Sequence, residues 1–148
     1  MFQKVVAERV DNRFFDDIHT MAEHNIIGQI GEQKAVEIMR NKRYRILETN
    51  WHLNHLEVDI IAANRHEIVF VEVKTRTSTF GDVSPVEYVD MRKKRHLTAA
   101  ANAYIHMNDI ELRPRFDVIG IILNPTTHDI VSINHIEDAF QPPQRTIS

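Results

Sequence analysis

Between Tyr44 and Thr75 apolar and polar residues alternate with a period of two, in three segments that follow one another almost without pause. Tyr44–Leu53, Glu57–Ala63 and Glu67–Thr75 read as strands, broken only at Asn54-His55 and at Asn64-Arg65-His66. Gaps this short admit hairpins and nothing longer, so the three strands must form an antiparallel meander. The rest of the chain has to fold around that sheet.

On its N-terminal side the period is 3.6. A helix is expected from about Ile26 to Asn41, with Ala35, Ile38 and Met39 at i, i+3 and i+4 building one apolar face. Glu32, three residues before Ala35, falls on that inward face, an odd place for a carboxylate. After the meander comes a loop, Thr77–Val83, carrying Gly81. A second helix then opens at Ser84-Pro85-Val86-Glu87, where Ser, Pro and Glu make a capping box. It is expected to run to about Met107, with Val86, Val89, Leu97, Ala100, Ala101 and Tyr104 inward. Phe116–Leu123, apolar on both faces except at Asp117, reads as a central strand, followed by an Asn124-Pro125 turn and a last strand over Asp129–Asn134. The order α-β-β-β-α-β-β predicts an α/β fold, one mixed sheet flanked by helices.

The 148 residues correspond to one domain, taken here as 21–140. Before it, residues 1–20 read as a loosely ordered extension within a charged stretch to residue 25, either a short surface helix or a loose segment. After it, 141–148 reads as a disordered tail. The absence of cysteine excludes disulfides, thiolate zinc sites, iron–sulfur clusters and a cysteine nucleophile. A net charge of −3 gives no global field for coating nucleic acid, so any such role needs a local basic patch. With no apolar run near the ~18 residues of a membrane span and no signal-like start, a cytoplasmic protein without a membrane partner is expected.

The third strand carries the chemistry. In Ile68-Val69-Phe70-Val71-Glu72-Val73-Lys74-Thr75-Arg76, Val69, Val71 and Val73 point to one face and Glu72, Lys74 and Arg76 to the other. On the preceding strand Glu57, Asp59 and Ile61 share a face opposite Val58, Ile60 and Ala62, and a hairpin brings Asp59 near Glu72. A salt-bridged, wet sheet face would account for any one of these charges. The set Asp59, Glu72 and Lys74, with Glu32 above it, is what metal-assisted phosphodiester hydrolysis requires: carboxylates for a hard cation, and a lysine to orient water and offset developing charge. Without metal the carboxylates repel one another, which predicts raised pKa values and metal-dependent stability. Arg92-Lys93-Lys94-Arg95-His96 is the one dense basic run. Its five residues cannot share a helix face, so Arg92, Arg95 and His96 should diverge from Lys93 and Lys94. Arg76, Lys93, Lys94 and Arg95 are the candidates for gripping phosphates, against the reading of a solvated helix surface. His52 and His55 lack further clustered ligands and read as a surface hairpin.

Asp59-x12-Glu72-Val73-Lys74 resembles the motif of the PD-(D/E)XK nuclease superfamily. More closely, the chain resembles its YraN-type bacterial family, similar in fold to archaeal Holliday-junction resolvases. The matching blocks are Gly28-Gln29-Ile30-Gly31-Glu32 with Ala35, Asn50-Trp51, Glu57 to Ala62, Val69 to Arg76, Phe80-Gly81, Lys93 with Leu97, and Arg115-Phe116-Asp117-Val118. They span about residues 21–135. Departures are Leu56 where the family has glycine and Val58 where the superfamily has proline. The resemblance implies a restriction-endonuclease-like αβββαβ core and a Mg²⁺- or Mn²⁺-dependent endonuclease. Its substrate would be nucleic acid, DNA rather than RNA, branched or single-stranded. Asp59, Glu72 and the Val73 carbonyl would hold metal, Lys74 would position water, and Glu32 would bind metal or orient a ligand. A homodimer is compatible with it. The competing expectation is a nucleic-acid-binding protein that keeps the fold and does not cut. Gly28 and Gly31 are expected to let the first helix approach the strands closely.

Overall fold

β1 (Arg45–Leu53), β2 (Leu56–Ala63) and β3 (Glu67–Thr77) form the expected antiparallel meander in a computed structural model that describes residues 2–78 and 89–143, with side chains from residue 19 onward. α1 (Phe2–Asn41) precedes them. α2 (Met91–Met107) lies between β3 and β4 (Arg113–Leu123), which pairs parallel with β3 from Glu67↔Arg113 to Thr77↔Leu123. A parallel neighbour needs such a long crossover. β5 (Ile130–Ile136) adds antiparallel to β4, giving a mixed sheet in the order β1-β2-β3-β4-β5. This is the arrangement of a restriction-endonuclease-like core.

Both faces of the central strands are covered, so Ile68–Val71 and Phe116–Leu123 are apolar almost without interruption. On one face Ala35 and Met39 of α1 pack on Val69, Val71, Ile119 and Ile121. On the other, Leu97, Ala100, Ala101 and Tyr104 of α2 pack on Phe70 and Phe116, and the Tyr104 ring meets Trp51 edge-on at 5.4 Å. These are the faces expected of both helices. Val89 is buried as well, ahead of the helix rather than within it.

Two helix boundaries differ. α1 begins at Phe2 rather than near Ile26. Residues 2–25 carry a helical signal that the expectation missed: Phe2, Val6, Val10, Phe14, Ile18 and Ala22 recur every four residues, and no glycine or proline interrupts them. α2 starts at Met91, where Asp90 in an extended conformation accepts from the Lys93 N–H at 2.8 Å. The capping box expected at Ser84–Glu87, with Val86 and most of the Thr77–Val83 loop, lies outside the described residues, as do 144–148. Among the described residues no helix is long and apolar enough to cross a membrane.

Asp117, the polar exception in β4, is fully buried. Arg115 binds it through two parallel bonds of 2.8 Å and also donates to Glu67 (2.6 Å) and the Tyr44 hydroxyl (2.9 Å). His135 lies between Lys42 and Asp117, 2.8 Å from each. Because Lys42 can only donate, it fills Nδ1, and the imidazole proton sits on Nε2 facing Asp117. The Asp138 N–H completes the set at 3.0 Å. Burial alone would raise the Asp117 carboxyl, but the hydrogen bonds from His135, Arg115 and Asp138 outweigh it and hold it below the ordinary value.

Candidate active site

The β2·β3 ladder ends at Ile60↔Val71. One residue further the Asp59 carboxylate takes over the role of the ladder, accepting from the Val73 N–H at 2.8 Å. Strand alternation also breaks there. Val58 packs in the same cluster as Ile61, on the α2 side, while Ile60 packs on the α1 side. The expected grouping of Val58 with Ile60 and Ala62 therefore fails. Opposite Asp59 in the β1·β2 register stands Asn50, at a left-handed φ of 50°, and this turns the strands locally. Asp59 sits where two strands part.

Burial is the main force on Asp59, and the neighbouring Glu72 charge adds to it; the Val73 N–H opposes both, Glu32 adds a smaller push, and the carboxyl is raised to about 7. The expected mutual repulsion is realised at this residue. Glu72 itself is only 5% exposed, and its Oε1 lies 3.4 Å from the Nζ of both Lys74 and Lys93. Three carboxylates thus face two ammonium groups.

Glu32 reaches the same place from α1, held by the Asn50 side-chain amide at 3.1 Å. Gly31 makes this possible: a Cβ there would lie 1.7 Å from the Thr75 hydroxyl oxygen, so only glycine lets the helix lie this close to β3. Gly28 differs from expectation, since nothing lies within 4 Å of where its Cβ would be. It borders open space in a cleft of about 650 Å³, also lined by Glu32, Asp59, Lys74 and Arg76.

The structure brings Glu32, Asp59, Glu72, Val73, Lys74 and Arg76 to one end of β3. It divides the basic run differently from the sequence expectation. Lys93 pairs with Glu72 instead of standing free for phosphates. Arg92 and His96 join Lys93 on a second cleft. Lys94 is turned away, its ammonium 5.7 Å over the Phe140 ring, and Arg95 is exposed and borders neither cleft. Helical rotation accounts for Arg92 with His96 and for Lys94 on the far side, while Arg95, three residues from Arg92 and on the same side, still borders neither cleft. Asn50 as the holder of Glu32 and Lys93 as a partner of Glu72 were not anticipated. The first had a faint signal in Asn50-Trp51, an asparagine inside a strand; the second had none. Among the described residues no group of three or more Asp, Glu or His side chains is placed to hold a metal ion.

Comparison with known proteins places the chain. Residues 31–121 match the model of Uncharacterised protein family UPF0102. A UPF0102 protein of Parabacteroides distasonis is 43% identical over 125 residues, 84% of this chain and 100% of that protein. UPF0102 protein FP2501 of Flavobacterium psychrophilum is 45% identical over 121 residues, 81% of this chain and 98% of its own length. With a family model covering Gly31 to Ile121 and relatives matched over nearly their full length, the chain belongs to family UPF0102, a YraN-type member of the PD-(D/E)XK nuclease-like superfamily.

Proposed function

We propose that the protein is a divalent-metal-dependent endonuclease that hydrolyses phosphodiester bonds in DNA, branched or single-stranded. The observation that carries this reading is Asp59 where β2 and β3 part, on an open cleft with Glu32, Val73 and Lys74, with the Glu72 charge near enough to act on its carboxyl. The donors are all oxygen, and the three carboxylates outnumber the two lysines, which suits a hard cation. An open site that leaves room for water and phosphate oxygens is the way Mg²⁺ is ordinarily held. Asp59 and Glu72 would hold it, with Glu32 and the Val73 carbonyl as further oxygens. When bound, the cation supplies Lewis acidity and lowers the pKa of a bound water. Lys74 then has two tasks: its ammonium orients the attacking water and offsets charge developing on the phosphate. Arg76, on the same cleft, would contact the backbone of the substrate.

One observation favours a binder that does not cut: Glu72 is already neutralised by Lys74 and Lys93. A cleavage panel of linear, single-stranded, flapped and four-way DNA with Mg²⁺ or Mn²⁺ separates the readings. The wild type is expected to cut at least one substrate, and Lys74→Ala to bind it within about threefold while cutting at least ~100-fold more slowly, the scale of losing one preorganised charge. A wild type that binds but cuts nothing would establish the binder instead, and a Lys74→Ala variant that cuts equally fast would remove Lys74 from the reacting centre.

A further inference from the structure

A second cleft, of about 490 Å³, lies between the β1–β2 hairpin and the first turns of α2. His55 comes from the hairpin, Arg92, Lys93 and His96 from α2, and Lys74 from β3, so three separate elements turn cationic or imidazole groups into one space. The His55 and His96 rings are 6.1 Å apart. Two acids border the cleft and both are engaged: Glu57 lies 3.2 Å from His52, and Asp90 caps α2. Arg92 is exposed and, among the described residues, makes no ion pair or hydrogen bond. Lys74 borders this cleft and the Asp59 cleft alike. A planar guanidinium, two imidazoles and two ammonium groups around an open space match phosphate oxygens, which Arg takes in a fork.

Resting on the nuclease reading, we propose that this cleft seats a neighbouring phosphate of the same nucleic-acid strand, bound by Arg92, His55 and His96. The strand would then cross β3 at Lys74, with one phosphate at the carboxylates and the next on the hairpin side. Neither histidine is needed for chemistry at Asp59, so the subsite acts on affinity and on where the strand lies.

The test is fluorescence anisotropy of a labelled single-stranded oligonucleotide with the full chain in EDTA, where nothing is cut. Arg92→Ala is expected to weaken binding about tenfold and to reduce the salt slope by about one phosphate contact. Arg113→Ala, an exposed arginine at the start of β4, removes the same charge and is expected to change binding less than about twofold. His55→Ala on the hairpin should weaken binding about threefold without touching α2. With metal present, Arg92→Ala should raise KM and leave kcat within about twofold. If Arg92→Ala and Arg113→Ala weaken binding equally, the effect is general charge and the subsite falls while the nuclease reading stands. If the wild type binds no oligonucleotide at low salt, the nucleic-acid reading itself falls, and the subsite with it.

Discussion

Asp59 shows how one residue can be costly to the fold and useful to the site. Its carboxyl, raised to about 7 chiefly by burial with Glu72 adding, binds its proton more tightly in the folded than in the unfolded chain. The folded state is therefore favoured at low pH, and that stability is lost as pH rises from about 4 through about 7. Asparagine keeps an oxygen for the Val73 N–H and carries no charge. Asp59→Asn should raise Tm by roughly 3 °C or more at pH 8 and by about zero at pH 4. It should also lose whatever rise in Tm millimolar Mn²⁺ gives the wild type, since a cation favours the ionised carboxylate. Thermal melts at the two pH values, with and without Mn²⁺, check both. A variant less stable than wild type at pH 8 would mean that Asp59 is held by a stronger favourable contact than the Val73 bond. The pairing of Asp59 with Glu72 was legible from strand alternation and hairpin geometry. The break in alternation at Asp59 was not, because nothing in the pattern of β2 marks where it leaves its ladder with β3.

At the scale of elements, α1 and α2 approach the sheet under different constraints. α1 must come close enough for Glu32 to share the cleft with Asp59, and Gly31 against Thr75 is the point of closest approach. Gly31→Ala should destabilise by about 1–3 kcal/mol, the usual cost of overpacking, and draw Glu32 away from β3. Gly28→Ala meets open space within the same helix and should stabilise by roughly 0.5–1 kcal/mol through helix propensity. Urea unfolding of the two variants side by side checks the contrast; equal effects would mean that α1 sits less tightly on β3 than the structure places it. The sequence signalled both glycines alike, because spacing cannot tell which side of a helix meets a neighbour. For α2 the same limit applies to the basic run: its density was visible, but its division between Glu72, the second cleft and Phe140 follows from how the helix is rotated on the sheet.

For the whole molecule, the Asp117 cluster ties together segments that are distant in the chain. Lys42 and Tyr44 follow α1, Glu67 opens β3, Arg115 lies in β4, His135 in β5 and Asp138 beyond it. Arg115, His135 and the Asp138 N–H all bond this one buried carboxylate, so its loss takes a partner from each, although Arg115 keeps Glu67 and Tyr44. Asp117→Asn presents an amide N–H₂ to groups that are already donors and should cost about 3–5 kcal/mol, as breaking a buried ion pair does. For a chain of this size that is a fall in Tm on the order of 10 °C. The Asp117 carboxyl is held below its ordinary value of 3.8, so its contribution is present above that pH and is lost as pH falls below it. Melts across pH 2.5 to 7 should show the gap between wild type and variant narrowing only at the acid end. A variant that melts with the wild type at pH 7 would show that the cluster is energetically idle.

What the sequence determined by itself was local. A period of two with breaks of two or three residues leaves no alternative to an antiparallel meander, and alternation along β2 and β3 then aims Asp59, Glu72 and Lys74 toward common ground. The apolar faces of both helices followed from a period of 3.6 in the same way. Tertiary packing decided which partners the charged groups meet: Lys93 rather than solvent for Glu72, Asn50 for Glu32, His135 and Arg115 for Asp117. Most of these pairs are separated by many residues, and their geometry is set by the crossover of α2 and the close approach of α1. No periodicity records such contacts, because a repeat in sequence encodes which way a side chain points along its own element and carries nothing about what another element brings opposite it.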